Sequence, residues 1–248
     1  MRKITFELCA ESLQSCLAAR EGGADRIELC TALSLGGLTP SHGLTHAAVL
    51  RSGLPVHVLL RPRSGDFHYT DDEFSLMRED LLHARSLGAK GFVLGILRTN
   101  GTVDTQRTRE LVKLAAPLET TFHRAFDYTI SLEQALEDII ATGCKRVLTS
   151  GGEPNVVAGA TRLARLVEIA DGRINIAVGG GLRIKDAAAL AQATGASHFH
   201  GSLRRSEASK MQHERNWVLE DPDSLYGTSR FVVDPGDVRT MIGNLRSS

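Results

Sequence analysis

The chain has 248 residues, of which 42% are hydrophobic and 23% are charged, so we expect one domain spanning residues 1–248 with a full core. Lys plus Arg and Asp plus Glu are balanced at 29 each, which argues against a nucleic-acid or anionic-membrane surface and favours a small partner. No apolar run reaches the roughly 18 residues that cross a bilayer.

The N-terminal residues and the cysteines indicate the cellular compartment. The first predicted strand begins at Ile4, so we expect no signal peptide. The four cysteines, at positions 9, 16, 30 and 144, are too few for a disulfide framework in a chain of this length. We therefore expect a reducing, cytoplasmic setting.

Eight apolar runs are predicted strands, and most of them open into Glu, Cys, Arg, Gly, Ser or His at the C-terminal end. Their starts fall roughly 20 to 35 residues apart, and a helix-like stretch fills each gap. The runs are Ile4 to Ala10, Arg26 to Cys30, Val56 to Pro62, Gly91 to Leu97, Thr121 to Asp127, Arg146 to Gly151, Ile174 to Gly181 and Ser197 to Ser202.

This repetition predicts eight βα units joined by right-handed crossovers. Eight such units fill about 250 residues, the usual size of an α/β (β/α)8 TIM barrel, in which the active site lies at the C-terminal ends of the strands. We predict a barrel over residues 1–203 and a C-terminal tail over residues 204–248.

Glycines and capping residues mark the predicted helices. Thr39 is predicted to cap the second helix, with Pro40 at its first position, and Asp71 and Ser131 are predicted caps, the latter in a capping box with Gln134. The other predicted helices are Glu11 to Ala24, Asp71 to Ala89, Thr105 to Ala116, Ser131 to Cys144, Asn155 to Ala170 and Ile184 to Ala196.

The tail has a weaker pattern. The regular alternation of predicted strands and helices is lost between Leu203 and Arg230, where Asp221 to Ser224 is rich in turn residues. Phe231 to Asn244 is predicted to be an extended piece followed by a short helix that begins near Pro235.

Alternation along the strands predicts which side chains face the barrel axis. It places Glu7 and Cys9 inward on the first strand, and Glu28 and Cys30 inward on the second. Applied to strands three and five, it predicts one layer that holds Glu7, Arg61 and His123, with Glu28 offset by half a step.

This cluster has two interpretations. In the first, Arg61 neutralises Glu7 or Glu28 and the cluster is structural, because buried charges need partners. In the second, the two carboxyl groups have different pKa values, so that one acts as an acid and the other as a base. Their position at the strand ends favours this second interpretation. The predicted catalytic residues are Glu7, Glu28, Arg61, His123, Arg124 and Asp127.

Loops after three later strands are candidates for binding an anion. Glycines let backbone N–H groups approach phosphate, and the loops after strands seven and eight often do so in this fold. The predicted anion-binding residues are Ser150, Gly151, Gly180, Gly181, Gly201 and Ser202.

No lysine is placed to form a Schiff base in the barrel mouth, which argues against class I aldolase chemistry.

Two residue pairs suggest metal chemistry. His198 and His200 share one face of a strand, but no carboxylate stands beside them in that strand, so we disfavour a zinc site. Cys9 and Cys30 end neighbouring strands, where they could hold Cu(I) in near-linear coordination or be small buried apolar side chains.

The motifs in this chain resemble those of the CutC family, whose members are named for copper homeostasis. The resemblance is carried by Phe6 to Cys9, Gly23 to Cys30, Gly36 to Ser41, Arg61 to Arg63, Gly65 to Phe67, Thr121 to Asp127 and Arg146 to Gly151. It implies a cytoplasmic TIM barrel that forms homodimers or homotetramers, and a Cu(I) role on Cys9 and Cys30. No organic cofactor is predicted.

Two functional hypotheses therefore stand. The first is a copper-binding protein that holds Cu(I) on Cys9 and Cys30. The second is an enzyme acting on a small anionic metabolite, with Glu7 or Glu28 as general base and His123 as acid or partner. In that enzyme, Arg61 or Arg124 would hold the anion.

Overall fold

The computed structural model describes residues 3–208, 210 and 230–247. Eight parallel strands form a closed barrel in chain order, and β8 pairs back onto β1. This confirms the predicted TIM barrel. The strands are β1 Thr5–Ala10, β2 Arg26–Leu29, β3 Val56–Leu59, β4 Gly91–Leu94, β5 Glu119–Phe122, β6 Arg146–Thr149, β7 Asn175–Gly179 and β8 His198–Gly201.

A helix follows each of the first seven strands. These helices are α1 Leu13–Gly22, α2 His42–Arg51, α3 Asp71–Ser86, α4 Thr105–Ala115, α5 Leu132–Thr142, α6 Ala160–Ala170 and α7 Ala187–Thr194. Short 3₁₀ turns at Leu33–Leu35, Arg124–Tyr128 and Ile184–Asp186 interrupt the connections. Among the described residues, no helix combines the length and apolarity that crossing a membrane requires.

Strand alternation separates two environments, as predicted. Phe6, Leu8, Ile27 and Leu29 are fully buried in the main core together with helix residues. Cys9, Cys30, Leu59 and Val93 form a separate small apolar cluster. The outward faces of the strands thus provide most of the stabilising apolar burial, while the inward faces carry polar side chains together with this small apolar cluster.

Several helix ends follow the predicted glycines. Gly23, Gly143 and Gly195 each adopt the left-handed conformation directly after a helix, with φ of 85°, 94° and 66°. Side chains with a Cβ are strained at such φ values, which is why glycine ends these helices.

The residues that cap the helix starts differ more from the predictions. Ser41, not Thr39, caps α2, and Pro40 precedes the helix. Thr70 caps α3 in place of the predicted Asp71. Ser131 caps α5 as predicted, but the expected capping box is incomplete because the Gln134 side chain donates to Asp138.

Helices α6 and α7 begin later than predicted. Residues 155–159 form a turn before α6, in which the Asn155 side chain accepts hydrogen bonds from the N–H groups of Val157 and Ala158. The predicted start of α7 at Ile184 is a 3₁₀ turn, and the α-helix begins at Ala187.

The C-terminal arm packs back onto the barrel. β9 (Arg204–Glu207) pairs antiparallel with β10 (Arg230–Val233), and α8 (Pro235–Arg246) follows, capped by Asp234. This confirms the extended piece and the helix start near Pro235. The predicted turn at Asp221 to Ser224 lies outside the described residues.

Candidate functional site at the barrel mouth

A cavity of about 400 Å³ opens at the C-terminal ends of the strands, where this fold places its sites. Nine of the residues predicted from the sequence line it: Cys9, Glu28, Arg61, His123, Arg124, Gly180, Gly181, Gly201 and Ser202. Sequence reasoning did not assign Phe67, His200 or Arg204 to the site, although they line the same cavity.

Glu7 lies below this cavity and is completely buried. Its carboxylate accepts from Arg26 Nε at 2.7 Å and Arg146 Nη1 at 2.6 Å, and its other oxygen lies 2.8 Å from His200 Nδ1. Burial alone would raise the pKa of Glu7, but the positive charges of Arg146 and Arg26 hold that pKa well below its ordinary value. Glu7 is therefore a fixed carboxylate rather than a general base.

The predicted layer of Glu7, Arg61 and His123 is not what the structure shows, and neither is neutralisation by Arg61. The Arg61 guanidinium donates to the carbonyl oxygens of Leu35, Gly37 and Gly65. Its long side chain reaches the loops at the rim instead of either glutamate.

Arg26 and Arg146, the partners of Glu7, were missed. The alternation that places Glu28 inward also places Arg26 inward, two residues earlier, so a signal for Arg26 was present. Arg146 is the first residue of β6, a position that suits a solvent-facing strand start equally well. Its contact with Glu7 joins residues 139 positions apart.

The two thiols at the floor are close together. Cys9 Sγ lies 3.7 Å from Cys30 Sγ and 3.6 Å from Glu28 Oε1. Hydrogen bonding to Cys30, together with burial, raises the pKa of Cys9 well above its ordinary value. Both cysteines are free and buried, but only Cys9 lines the cavity.

Cys9, Glu28 and His200 form a cluster of metal-ligating side chains. One ligand atom from each lies within 4.8 Å of the others. β8 carries no carboxylate beside His200, which disfavoured a zinc site there, but the neighbouring strands β1 and β2 supply a thiol and a carboxylate. His198, two residues earlier, lies below and does not line the cavity.

Glu28 and His123 each present an open polar atom. Glu28 Oε2 and His123 Nε2 are buried and have no hydrogen-bond partner among the described residues. Burial raises the pKa of Glu28 and lowers the pKa of His123 to about 3. Because His123 Nδ1 accepts from the Ala125 N–H at 3.0 Å, the neutral ring carries its proton on Nε2.

His123 is packed so that this ring has little freedom. Its ring centroid lies 5.1 Å from that of Phe67, over which Arg61 stacks. Gly95, directly after β4, faces the imidazole so closely that a Cβ there would lie 2.4 Å from His123 Nδ1. A side chain at position 95 would therefore displace the imidazole.

Asp127 does not line the cavity and instead supports the loop after β6. It accepts hydrogen bonds from the backbone N–H groups of Ser150 and Gly152, and from Arg124 Nε at 2.8 Å. Arg124 Nη2 also donates to Ser150 Oγ. Asp127 thus positions Arg124 at the cavity rim, which is a different role from the predicted catalytic one.

Internal hydrogen bonds already occupy part of the predicted anion cup. The N–H groups of Ser150 and Gly151 are already used by Asp127 and by Thr149 Oγ1. The N–H groups of Gly180, Gly181 and Ser202 have no hydrogen-bond partner within the described ranges. These three line the cavity with Arg124 and Arg204, so within the predicted cup they are the described residues with N–H groups still free to donate.

The fold and this mouth define a class: a TIM barrel whose C-terminal face holds an open pocket lined by a thiol, a carboxyl group and imidazoles, with a second thiol directly behind the first. Residues 4–205 match the model of the CutC family. The chain belongs to that family, which confirms the resemblance noted in its motifs.

Individual proteins similar to this chain also carry the CutC name. The family protein CutC of Chromobacterium violaceum is 50% identical over 213 residues, covering 86% of each chain, and that of Vibrio cholerae is 46% identical over 211 residues, covering 84% of this chain and 83% of the other. A CutC structure from Streptococcus agalactiae, which carries a provisional copper-homeostasis name, superposes with a TM-score of 0.76 at 34% identity. It covers 80% of this chain and 98% of its own.

Proposed function

We propose that the protein binds Cu(I) on Cys9 and Cys30 and serves copper homeostasis in a reducing, cytoplasmic compartment. The observation that carries the proposal is the 3.7 Å separation of the two sulfur atoms, with Cys9 lining the cavity. Thiolates are the ligands that select Cu(I). The name of the family points in the same direction.

The spacing also suggests how the ion would be held. A thiolate sulfur lies about 2.3 Å from a bound zinc ion, and we take a similar distance for copper. With the two sulfur atoms 3.7 Å apart, the S–Cu–S angle is then bent and not near-linear as predicted. Such an ion keeps a free side. Because Cys9 faces the cavity, an incoming Cu(I) ion and a ligand on that free side have a route from the mouth.

An anaerobic competition titration with a chromophoric Cu(I) chelator tests this proposal. We expect Cys30→Ser to lower the Cu(I) affinity by at least about 100-fold, because one of two ligands is lost. Cys144→Ser serves as the matched control, since Cys144 is an equally buried free cysteine elsewhere in the fold. Equal affinities in the two variants would refute the thiol-pair site.

A second candidate function is an enzyme acting on a small anionic metabolite in the same cavity. The open Glu28 Oε2 and the Nε2–H of His123 favour it. In this reading, Glu28 is the general base, His123 donates a hydrogen bond to a developing negative charge, and Arg124 with the open N–H groups holds the anion. Glu7 is excluded as the base because its oxygens are already bonded.

Binding of inorganic phosphate tests the anion part of this candidate. We expect calorimetric titration to detect phosphate binding to the wild-type protein, and Arg124→Gln to weaken it at least about 10-fold because a charge-assisted donor is lost. Arg162→Gln is the control, because Arg162 lies on α6 and does not line the cavity. Its side chain is half exposed and pairs with Glu153. The candidate fails if phosphate does not bind, or if both variants lose affinity equally.

A further inference from the structure

We infer that Cys9, Glu28 and His200 form a site for a divalent transition-metal ion of the zinc type, with one coordination position open to the cavity. The inference goes beyond Cu(I) binding by the thiol pair. It uses a different set of ligands that shares only Cys9, and it concerns an ion with a different preference for donors.

The three ligands come from three adjacent strands. β1 pairs with both β2 and β8, and Cys9 is the register partner of Glu28. A tetrahedral zinc ion bound at about 2.3 Å to sulfur and about 2.1 Å to oxygen holds those two atoms roughly 3.6 Å apart. The observed distance from Cys9 Sγ to Glu28 Oε1 is 3.6 Å, so this edge of the site is already at the required length.

His200 is oriented by a carboxylate, which is an independent observation. Its Nδ1 lies 2.8 Å from Glu7 Oε1, and this leaves Nε2 for a metal. Glu7 is in turn held by Arg26 and Arg146. A carboxylate that fixes the tautomer and ring orientation of a histidine is the usual outer support of a zinc ligand.

The donor set selects the class of ion. One thiolate, one imidazole and one carboxylate suit a borderline divalent ion such as Zn²⁺. Magnesium and calcium prefer oxygen ligands, and Cu(I) is selected by soft sulfur ligands. Three protein ligands with a free fourth position are typical of catalytic zinc sites, whereas structural ones have four.

The open position faces the pocket. All three side chains line the 400 Å³ cavity, and the second oxygen of Glu28 has no partner among the described residues. A water molecule or an anionic oxygen of a ligand would occupy the fourth position, with the Nε2–H of His123 and the side chain of Arg124 lining the same space. The chemical class of ligand is thus a small molecule with a carboxylate or phosphate oxygen.

Cobalt(II) is the probe for the test, because it replaces zinc and reports thiolate ligation and tetrahedral geometry in its absorption spectrum. We expect the metal-free, reduced protein to bind one Co²⁺ ion with a thiolate charge-transfer band, and Zn²⁺ to displace it. We expect His200→Ala to lower the Co²⁺ affinity by at least about 100-fold, because a ligand is lost. His46→Ala, which removes an exposed histidine, is the control.

Glu28→Gln supplies a second variant in case His200→Ala fails to fold, since it leaves the bond between His200 and Glu7 in place. It should also weaken Co²⁺ binding. The ratio of Cu(I) to Co²⁺ affinity should fall in Cys30→Ser and rise in His200→Ala, so failure of either site is recognised separately. A spectrum without a thiolate band, or wild-type Co²⁺ affinity in both Glu28→Gln and His200→Ala, would overturn the inference.

Discussion

At the scale of single residues, Glu7 shows how one buried charge organises the barrel interior. Two arginines and a histidine converge on its carboxylate, and Arg26 also reaches out to Glu119 at the edge of the barrel. Removing one member of such a buried group leaves the remaining charges without compensation, which costs far more than losing a surface ion pair.

We predict that Glu7→Gln lowers the free energy of unfolding by about 3–5 kcal/mol, because Arg26 and Arg146 lose their carboxylate. Urea unfolding followed by circular dichroism measures the change. Glu119→Gln is the matched control, because it removes the other ion-pair partner of Arg26 from a side chain that is 57% exposed, and we expect it to cost less than about 1 kcal/mol. Similar losses in both variants would contradict the role assigned to Glu7.

At the scale of elements, α3 shows why a helix cap can be harder to predict than the helix itself. The helix begins at Asp71 as predicted, but Thr70 caps it, although Asp ranks above Thr as a capping residue. The structure uses Thr70 because Glu73 then falls at the third helical position, where its side chain accepts from the Thr70 N–H at 2.9 Å while the Thr70 hydroxyl accepts from the Glu73 N–H. The reciprocal bonds favour the weaker cap.

The capping box makes a specific prediction. Thr70→Ala should lower the free energy of unfolding by about 1 kcal/mol, since the hydroxyl acceptor is lost. Thr70→Ser keeps a hydroxyl and should therefore retain most of the wild-type free energy of unfolding. Thermal and urea unfolding of the two variants provide the comparison. If Asp71 took over the cap, as the sequence suggested, Thr70→Ala would be as stable as Thr70→Ser.

At the scale of the whole molecule, the C-terminal arm completes the ring of helices. The described strand β8 leads into β9 rather than directly into a helix, and α8 packs on α1 and α7 with Val238, Met241, Ile242 and Leu245 buried. Gly22, at the end of α1, lies so close to Val238 that a Cβ there would overlap it. The eighth helical position beside β1 is thus covered by the last helix of the chain.

Barrel closure also assembles the candidate site. Cys9 and Glu28 are separated by 19 residues, but His200 is contributed by the last strand and contacts Glu7, 193 residues away. The pocket floor exists only because β8 returns to β1. A fragment that lacked the last strand would lose one of the three metal ligands proposed above.

The sequence by itself determined the fold and the residues that face the barrel mouth. Regular spacing of apolar runs defines the eight units, and alternation places Cys9, Glu28, Cys30 and His123 inward, because both patterns follow from local backbone geometry. The ends of several helices were also readable, since only glycine adopts the required φ freely. Family membership followed from motifs spread along the chain.

Only the tertiary structure decided which inward residues meet. Arg61, expected beside the glutamates, reaches the rim carbonyls, while Arg26 and Arg146 take its place at Glu7. The contacts depend on strand stagger, barrel closure and the reach of long side chains, none of which is encoded in a local pattern. For the same reason the use of Ser150 and Gly151 by Asp127 and Thr149, and the meeting of His200 with Cys9 and Glu28, emerged only from the folded chain.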